Sequence, residues 1–288
     1  MNIKAEHLTL TFGNTYALRD VNFELSGNKI FGLLGRNGAG KTSLLSIIAS
    51  YREPTIGKII INGEEPFENA KIMRQVAFLY DQEYENESEN IIELLQGIQP
   101  YRPNFSMEYA EYLIDLFKLD RKKAIKKFSK GMKSAVNVII GLASRTPITL
   151  LDEVYLGMDA HFREIFYKEL LEEQARHPRM FILSTHLVSE MDYLFDEVII
   201  LDRGSVMVHE DFDSFISKGA TITGDGETVD QFVKNKKQIN VQQLGNTKAV
   251  MIYGELTAEE EAEAIRLGLE ISPASLHDLF VHLTKEDQ

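Results

Sequence analysis

Residues 30–48 read IFGLLGRNGAGKTSLLSII, an apolar run, a glycine-rich turn and a second apolar run. The spacing GxxxxGKT is met here by Gly35, Gly40, Lys41 and Thr42. Glycines allow a tight turn in which successive backbone N–H groups point at phosphate oxygens, and the N-terminus of the following helix adds a positive dipole end. The stretch therefore predicts a strand, a phosphate-binding loop and a helix.

The side chains of this loop have separate expected tasks. The Lys41 ammonium is expected to reach the terminal phosphates of a nucleotide and to assist catalysis there, and the Thr42 hydroxyl to ligate Mg²⁺. The predicted nucleotide-binding residues of the loop are Gly35, Asn37, Gly38, Ala39, Gly40, Lys41, Thr42 and Ser43. A glycine-rich turn that binds nothing is the alternative, and the complete motif between two apolar runs argues against it.

A second polar site follows an apolar run in the stretch PITLLDEVYLGMDA, residues 147–160. We expect Asp152 to support Mg²⁺ through water, and Glu153 to act as general base on an attacking water. Taken alone, the two residues also fit an ordinary acidic strand end. His186 follows another apolar run, at 180–184, from where we expect it to contact a γ-phosphate.

The composition bounds the class of protein. The 288 residues are 44% hydrophobic and 26% charged, and their net charge is −13. This acidity argues against a nucleic-acid partner, since such binding neutralises phosphates with Lys and Arg. No run reaches the roughly 18 apolar residues of a membrane span, and the N-terminus lacks the apolar stretch of a signal peptide. Because the sequence also contains no cysteine, we expect a cytoplasmic protein in a reducing compartment.

Short apolar runs alternate with helical patterns, which predicts an α/β fold around a mostly parallel sheet. A helix is expected within 106–119, and strands at 29–34, 58–62, 76–80, 148–151, 180–184, 197–201 and 205–209. We predict a nucleotide-binding domain over 1–216, with a helical subdomain at about 85–145. The remaining 217–288 are expected to form a small α+β domain of order βαββαβ, which suits a split βαβ sandwich.

Together these motifs resemble the ATP-binding subunits of ABC transporters, from residue 2 to about residue 215. The resemblance implies a P-loop NTPase fold of the ABC type, ATP and Mg²⁺ as ligands, and ATP hydrolysis. It implies that Phe12 stacks on adenine with Tyr16 beside the base. It also implies that Asp159 belongs to the D-loop and that His186 is the switch histidine. The implied partners are a membrane-spanning permease on the inner face of the cell membrane and a second ATPase subunit, identical or not.

The stretch FSKGMKSA, residues 128–135, is similar to the signature loop LSGGQ of that family, with Ser129 and Gly131 kept. The resemblance implies that both residues contact the γ-phosphate of a nucleotide held by the partner chain. Lys130 stands where the family has glycine, and two interpretations stay open. Its charge favours nucleotide binding, or its bulk obstructs the approach of the backbone and marks a degenerate site; we favour the first.

Another departure follows the strand at 76–80, where Asp81 occupies the position of the family's glutamine and Gln82 comes next. We expect Asp81 or Gln82 to contact Mg²⁺ and the lytic water, although a carboxylate only accepts hydrogen bonds. The acidic run DQEYENESENIIE at 81–93 is expected to help select the permease, since cytoplasmic loops of membrane proteins are rich in Lys and Arg. A solvated loop is the alternative.

The predicted function is ATP hydrolysis that powers a separate membrane-spanning partner for export. The SKGM signature and the ending SPASLHDLFVHLT resemble exporter-type, ABC-2-like bacterial subunits. The alternative is a soluble ABC-type ATPase of translation or DNA repair, a class that usually carries two nucleotide domains or basic surfaces. A single phosphate loop and the net charge of −13 argue against that class. The signature-like loop argues against a P-loop kinase or GTPase.

Overall fold

The computed structural model describes residues 1–82, 84 and 87–284, which form two compact units. One unit comprises Met1–His186 with Ile199–Val208, and the other comprises Leu187–Val198 with the chain from His209 onward. Three residues of the acidic run, Glu83, Glu85 and Asn86, lie outside the described residues. Across the described ranges, every helix is too short or too polar to cross a bilayer.

The strands of the described chain are β1 (Asn2–Phe12), β2 (Thr15–Ser26), β3 (Ile30–Leu34), β4 (Ile56–Ile61), β5 (Val76–Tyr80), β6 (Ile148–Asp152), β7 (Met180–Thr185), β8 (Glu197–Asp202), β9 (Ser205–Asp211), β10 (Gly219–Asp225), β11 (Gln238–Leu244), β12 (Thr247–Tyr253) and β13 (Glu270–Pro273). The strand predictions are confirmed, with ends that differ by at most two residues.

The α-helices of the described chain are α1 (Lys41–Ile48), α2 (Ala70–Met73), α3 (Ile91–Ile98), α4 (Met107–Leu116), α5 (Lys130–Ala143), α6 (Ala160–Arg176), α7 (Phe212–Ser217), α8 (Gly226–Val233), α9 (Ala258–Arg266) and α10 (Leu276–Leu283). The helix expected within 106–119 is α4, which begins after the Ser106 side chain caps its first turn. Helices α3, α4 and α5 occupy the range predicted to be helical.

A sheet of order β5-β6-β7-β3-β8-β9 carries the candidate site. Strands β3, β6 and β7 are buried along their whole length, as expected for a sheet covered on both faces. Strands β5, β6, β7 and β3 run parallel, with Asp152 paired to Ser184 and Leu34 paired to Thr185. The carboxyl ends of these neighbouring strands therefore meet at one edge of the sheet.

A second sheet of order β2-β1-β4 was not predicted from the sequence. Its strands pair antiparallel, and Phe12 and Thr15 face each other next to the β1–β2 turn. Apolar side chains from this sheet, from α1 and from the parallel sheet form one buried cluster. Helix α1, which starts at the phosphate loop, is thus fixed by packing on both sides.

The C-terminal strands form a sheet of order β11-β12-β10-β13 in which every neighbouring pair is antiparallel. With the intervening helices the order along the chain is βαββαβ followed by α10, so the predicted split βαβ arrangement is confirmed. Its core consists of Ala220, Ile222, Val229, Val233, Val250, Ile252, Ala264 and Leu269.

Candidate active site

The glycine-rich loop between β3 and α1 has the backbone that the motif requires. Gly40 precedes α1 with φ of 108°, a left-handed conformation that favours glycine. A Cβ at Gly40 would also lie 2.6 Å from the carbonyl oxygen of Ala17. Glycine is therefore needed at this position for both its conformation and its small size.

Lys41 lies at the centre of the loop and is 6% exposed. Its ammonium Nζ donates to the carbonyl of Gly35 at 2.7 Å and lies 3.2 Å from Glu153 Oε1. A buried ammonium with no acceptor beside it would be costly, so these oxygens satisfy the charge of Lys41. Phosphate oxygens could take over the same positions.

Asp152 ends strand β6 and is 7% exposed. Its Oδ2 accepts a hydrogen bond from the Thr42 hydroxyl at 2.7 Å, and its Oδ1 accepts one from the Ser184 hydroxyl. Two hydroxyl donors from different elements thus fix the orientation of this carboxylate. Sequence reasoning missed Ser184, although it follows from strand register, because Ser184 is the β7 neighbour of Asp152.

Glu153 follows Asp152 with φ of 50°, a left-handed conformation that is uncommon outside glycine. This turn lets the two consecutive carboxylates reach different partners. Glu153 Oε1 contacts His186 Nδ1 at 2.9 Å as well as Lys41 Nζ. Glu153 and His186 keep 20% and 30% of their side chains exposed, so water has access to both.

A cavity of 220 Å³ lies over the loop and combines its backbone with a carboxylate. Its walls are Ala17, Asn37, Gly38, Ala39, Gly40, Lys41, Thr42, Ser43 and Glu153. The structure therefore brings the predicted residues from Asn37 to Ser43 together with the predicted general base, whereas Gly35 lies outside the lining of this cavity. Ala17 was not among the residues that the sequence predicted to line a nucleotide site.

The two aromatic residues predicted to hold a base lie on the β1–β2 hairpin that leads to Ala17. Phe12 is 46% exposed and Tyr16 is 51% exposed. The Arg52 guanidinium lies 4.9 Å from the centre of the Phe12 ring, and that of Arg19 lies 4.8 Å from the Tyr16 ring. Each ring is thus partly covered by an arginine and keeps about half of its side chain accessible.

Asp81 and Gln82, which follow β5, are both exposed. The Asp81 carboxylate pairs with Lys130 at 3.1 Å. Three residues after Asp81, the buried Tyr84 phenol donates to Asn137 Oδ1 at 2.5 Å, and burial raises the pKa of this phenol. Tyr84 therefore stays protonated and ties the segment after β5 to helix α5.

The signature-like loop begins helix α5, and Ser129 caps it by accepting a hydrogen bond from the Met132 N–H at 3.3 Å. The helix starts at Lys130, directly after this cap. A Cβ on Gly131 would lie 2.7 Å from the carbonyl oxygen of Gly157, so the two segments approach closely at that point. Asp159, predicted to bind nucleotide, caps α6 through the Phe162 N–H at 2.9 Å.

A further contact beside the site was not anticipated. The buried Tyr155 hydroxyl hydrogen-bonds to the Thr185 hydroxyl, directly before His186. It links the segment after Glu153 to the end of β7. No sequence pattern signals such a contact, because it depends on the register between β6 and β7.

The described residues contain no cluster of three or more His, Cys, Asp or Glu side chains that could hold a metal by themselves. Mg²⁺ in nucleotide sites typically uses one or two protein oxygens together with phosphates and water. The Thr42 hydroxyl and the Asp152 carboxylate, joined at 2.7 Å, are a donor set of that kind. The residues present therefore fit a nucleotide-bound magnesium ion.

Comparisons with known proteins agree with this geometry. The family model described as ABC transporter matches residues 18–155. An uncharacterised ABC transporter ATP-binding protein of Methanocaldococcus jannaschii is 28% identical over 273 residues, which cover 93% of this chain and 96% of that protein. The bacitracin transport ATP-binding protein BcrA of Bacillus licheniformis is 31% identical over 218 residues, covering 73% of this chain and 70% of its own. A solved ATP-binding subunit of an ABC transporter superposes with a TM-score of 0.67 at 25% identity, covering 75% of this chain and 92% of that one.

Proposed function

The chain belongs to the family of ABC transporter ATP-binding proteins, and we propose that two copies of it enclose two MgATP and power a membrane-spanning exporter. The chain is an ATPase with the fold of that family. Its 31% identity to a bacitracin transport ATP-binding protein supports transport as the task. The resemblance of its SKGM signature and of its ending to exporter-type subunits supports export. The net charge of −13 disfavours the alternative of a nucleic-acid machine.

We propose that the phosphate loop of one copy holds the nucleotide. Lys41 Nζ exchanges the Gly35 carbonyl and Glu153 for phosphate oxygens, which are better acceptors because they carry more charge. The backbone of residues 37–43 and the α1 N-terminus surround the phosphates. Phe12 stacks on the adenine and Tyr16 flanks it.

Residues at the carboxyl ends of β6 and β7, or directly after them, supply the catalytic groups in this proposal. Mg²⁺ would be held by Thr42 directly and by Asp152 through water, and it would neutralise charge on the phosphates. Glu153 takes a proton from water as the water oxygen forms a bond to the γ-phosphorus. The bond from that phosphorus to the oxygen that bridges to the β-phosphate breaks, and ADP and inorganic phosphate leave. His186, bonded to Glu153 at 2.9 Å, orients that carboxylate and reports the state of the γ-phosphate.

A site shared between two copies is supported because one chain carries both parts that such a site needs. We call these parts half-sites: one is the phosphate loop with its neighbours, and the other is the signature-like loop. The P-loop half is assembled at the carboxyl edge of the parallel sheet. The other half, Ser129 to Gly131, begins α5 as an exposed helix N-terminus whose first turn offers N–H donors. Two copies related by a two-fold axis would complete two equal sites.

Glu153→Gln tests this proposal. The amide keeps the size of the side chain and removes its basicity, so we expect hydrolysis to fall by about 100-fold or more while ATP still binds. Sedimentation should show a monomer without nucleotide and a stable dimer with MgATP. Hydrolysis at the wild-type rate would contradict the assignment of Glu153, and a monomer at saturating MgATP would contradict the two-copy site.

We propose that the permease docks in an apolar groove between the parallel sheet and the helices that follow it. Two cavities of 550 and 800 Å³ share the residues Ala70, Met73 and Arg102. Tyr51 and Tyr101, one in each cavity, are 63% and 77% exposed. Exposed aromatic side chains around a groove are typical of a binding surface for a partner's helix.

Replacement of Tyr101 by Glu should prevent co-purification of the membrane partner, because it places a charge in the apolar groove. ATP binding should be unchanged, since Tyr101 is absent from the cavity over the phosphate loop. Ile56→Glu is the matched control, because this exposed residue lies on strand β4 and outside both cavities. Equal recovery of the partner with both variants would place the docking surface elsewhere.

A further inference from the structure

The two residues that depart from the family's pattern next to the site contact each other. Lys130 Nζ, in the signature-like loop, lies 3.1 Å from Asp81 Oδ2, at the position of the family's glutamine. The two side chains are 64% and 52% exposed. Neither departure therefore has to be interpreted alone, because each supplies the opposite charge that the other requires.

The aliphatic part of Lys130 lies on a third segment. A Cβ on Gly157 would be 2.7 Å from Lys130 Cγ and 3.0 Å from its Cδ, so the lysine stem runs directly over this glycine. Gly157 itself adopts φ of 97°. Lys130 thus connects the loop after β5, the first turn of α5 and the segment that follows Glu153.

We propose that Asp81 and Lys130 form a charge clasp, a pair in which Lys130 is a positioning residue that changes partner during closure. Asp81 holds the Lys130 ammonium at 3.1 Å, in the loop that also contains Ser129 and Gly131. On closure, Lys130 leaves Asp81 and contacts the terminal phosphate of a nucleotide held by the partner copy. The inference rests on the proposed two-copy site and assigns a role to the residues that make this site unusual.

The exchange is favourable because the two anions differ in strength. An ion pair as exposed as this one stabilises a structure little. A terminal phosphate carries more negative charge than a carboxylate and offers several acceptor oxygens, so it competes well for the same ammonium. The flexible lysine stem can reorient without moving the helix to which it belongs.

A second attachment keeps the segment after β5 in place while the clasp opens. Asn137, in the middle of α5, accepts from the Tyr84 hydroxyl at 2.5 Å and donates to the Tyr80 carbonyl at 3.0 Å. The side chains of Tyr84 and Asn137 are buried, in contrast to the exposed side chains of the clasp. The two attachments therefore differ in kind: one is structural, and the other is free to exchange.

The test measures the ATP concentration at half-maximal dimer formation in a Glu153→Gln background, by sedimentation at low salt. Lys130→Met, which keeps the stem and removes the charge, should raise that concentration by about tenfold. Asp81→Asn removes the competing anion and should lower it by about twofold. Lys127→Met, at an exposed lysine of the preceding turn, is the matched control and should change nothing.

The reversed pair, Asp81→Lys with Lys130→Asp, separates exchange from a static structural role. It preserves an ion pair but directs a carboxylate at the phosphate, so dimer formation should be at least as poor as in Lys130→Met. The defect of Lys130→Met should shrink at high salt, since screening weakens contacts between exposed charges.

Recovery of wild-type dimer formation by the reversed pair would overturn the exchange and leave a purely structural clasp. A Lys130→Met chain that dimerises like its parent would show that the lysine does not contact phosphate. If the Glu153→Gln parent itself formed no ATP-dependent dimer, the failure would lie with the two-copy site on which the inference rests.

Discussion

The parallel sheet of order β5-β6-β7-β3-β8-β9 and the antiparallel sheet of order β11-β12-β10-β13 place polar residues differently. In the first sheet, Asp152, Ser184 and Thr185 end neighbouring parallel strands at one edge, and the phosphate loop follows the next strand. In the second, neighbouring strands point in opposite directions, so their carboxyl ends alternate between the two edges. The strand direction alone therefore favours a composite polar site in one sheet and disfavours it in the other.

The ion pairs of the two sheets show the same contrast. Lys41 contacts Glu153, and Glu153 contacts His186, so three polar side chains from different segments form one connected cluster. In the C-terminal unit, Lys236 pairs with Glu260 and Lys248 with Asp230, each as a separate pair. Each of these two pairs joins two segments of that unit, and the two pairs have no residue in common. We therefore expect chemistry to depend on the first sheet, and stability to depend on both.

The largest expected effect separates stability from chemistry. Ile222→Ala in the core of the C-terminal unit removes a fully buried side chain and should lower the stability of that unit by about 2–5 kcal/mol. The affinity of the folded protein for ATP should stay within about twofold of wild type. Denaturant unfolding and nucleotide titration measure the two quantities, and a large loss of ATP affinity would remove the distinction between the sheets.

The reverse pattern is expected from Lys41→Met, which keeps the stem and removes the ammonium. Loss of a charged hydrogen-bond donor to phosphate should weaken ATP binding by about 30- to 150-fold, or about 2–3 kcal/mol. The free energy of unfolding, measured without nucleotide, should change by less than the free energy of ATP binding. Lys58→Met, at an exposed lysine of β4, is the control. Calorimetric titration that gave equal ATP affinities for both variants would refute the assigned role of Lys41.

The sequence was sufficient to predict the parts that depend on local pattern. The phosphate loop, the Asp152–Glu153 pair after an apolar run and the βαββαβ order of the C-terminal unit are all present. Each rests on residues close together in the chain, where glycine spacing and apolar periodicity are direct consequences of backbone geometry. Even so, strands β1 and β2 escaped prediction.

The contacts between distant segments could not be predicted. The sequence gives no sign that Asp81 meets Lys130 or that Tyr84 meets Asn137, because both contacts depend on how helix α5 packs against the loop after β5. The expectation that Asp81 acts on Mg²⁺ considered this residue without its partner. The structure places its carboxylate against a lysine, which turns two separate departures into one pair.

A smaller effect is expected where the signature-like loop meets the segment after Glu153. Gly131→Ala would place a methyl group about 2.7 Å from the Gly157 carbonyl oxygen, so one of the two segments has to shift. Hydrolysis should fall by about tenfold, roughly 1.4 kcal/mol, because the half-site is displaced while the phosphate loop is untouched. ATP binding to the monomer should be unchanged. Activity equal to that of wild type would show that this close approach is not needed.

The smallest effect concerns pH and the C-terminal unit. The hydrogen bond from Lys236 holds the pKa of Glu260 below its usual value. The stabilisation is therefore present above the pKa that Glu260 has in the unfolded chain, and it is lost as pH falls through the lower pKa that Glu260 has in the folded chain. Lys236→Met should reduce this acid-dependent stability by less than about 1 kcal/mol, because solvent screens the pair. Unfolding followed by circular dichroism between about pH 3 and 6 measures the difference, and identical pH profiles would contradict it.

Mixing two variants that are defective in different parts of the site tests the central claim most directly. Lys41→Met disables the phosphate loop, and Ser129→Asp keeps the cap of α5 but directs a carboxylate at the phosphate. If each site combines the loop of one copy with Ser129 of the other, a mixed dimer contains one intact site. An equal mixture should then recover up to about a quarter of wild-type hydrolysis, because half of the dimers are mixed and each has one of two sites. A mixture no more active than the separate variants would contradict a site shared between two copies.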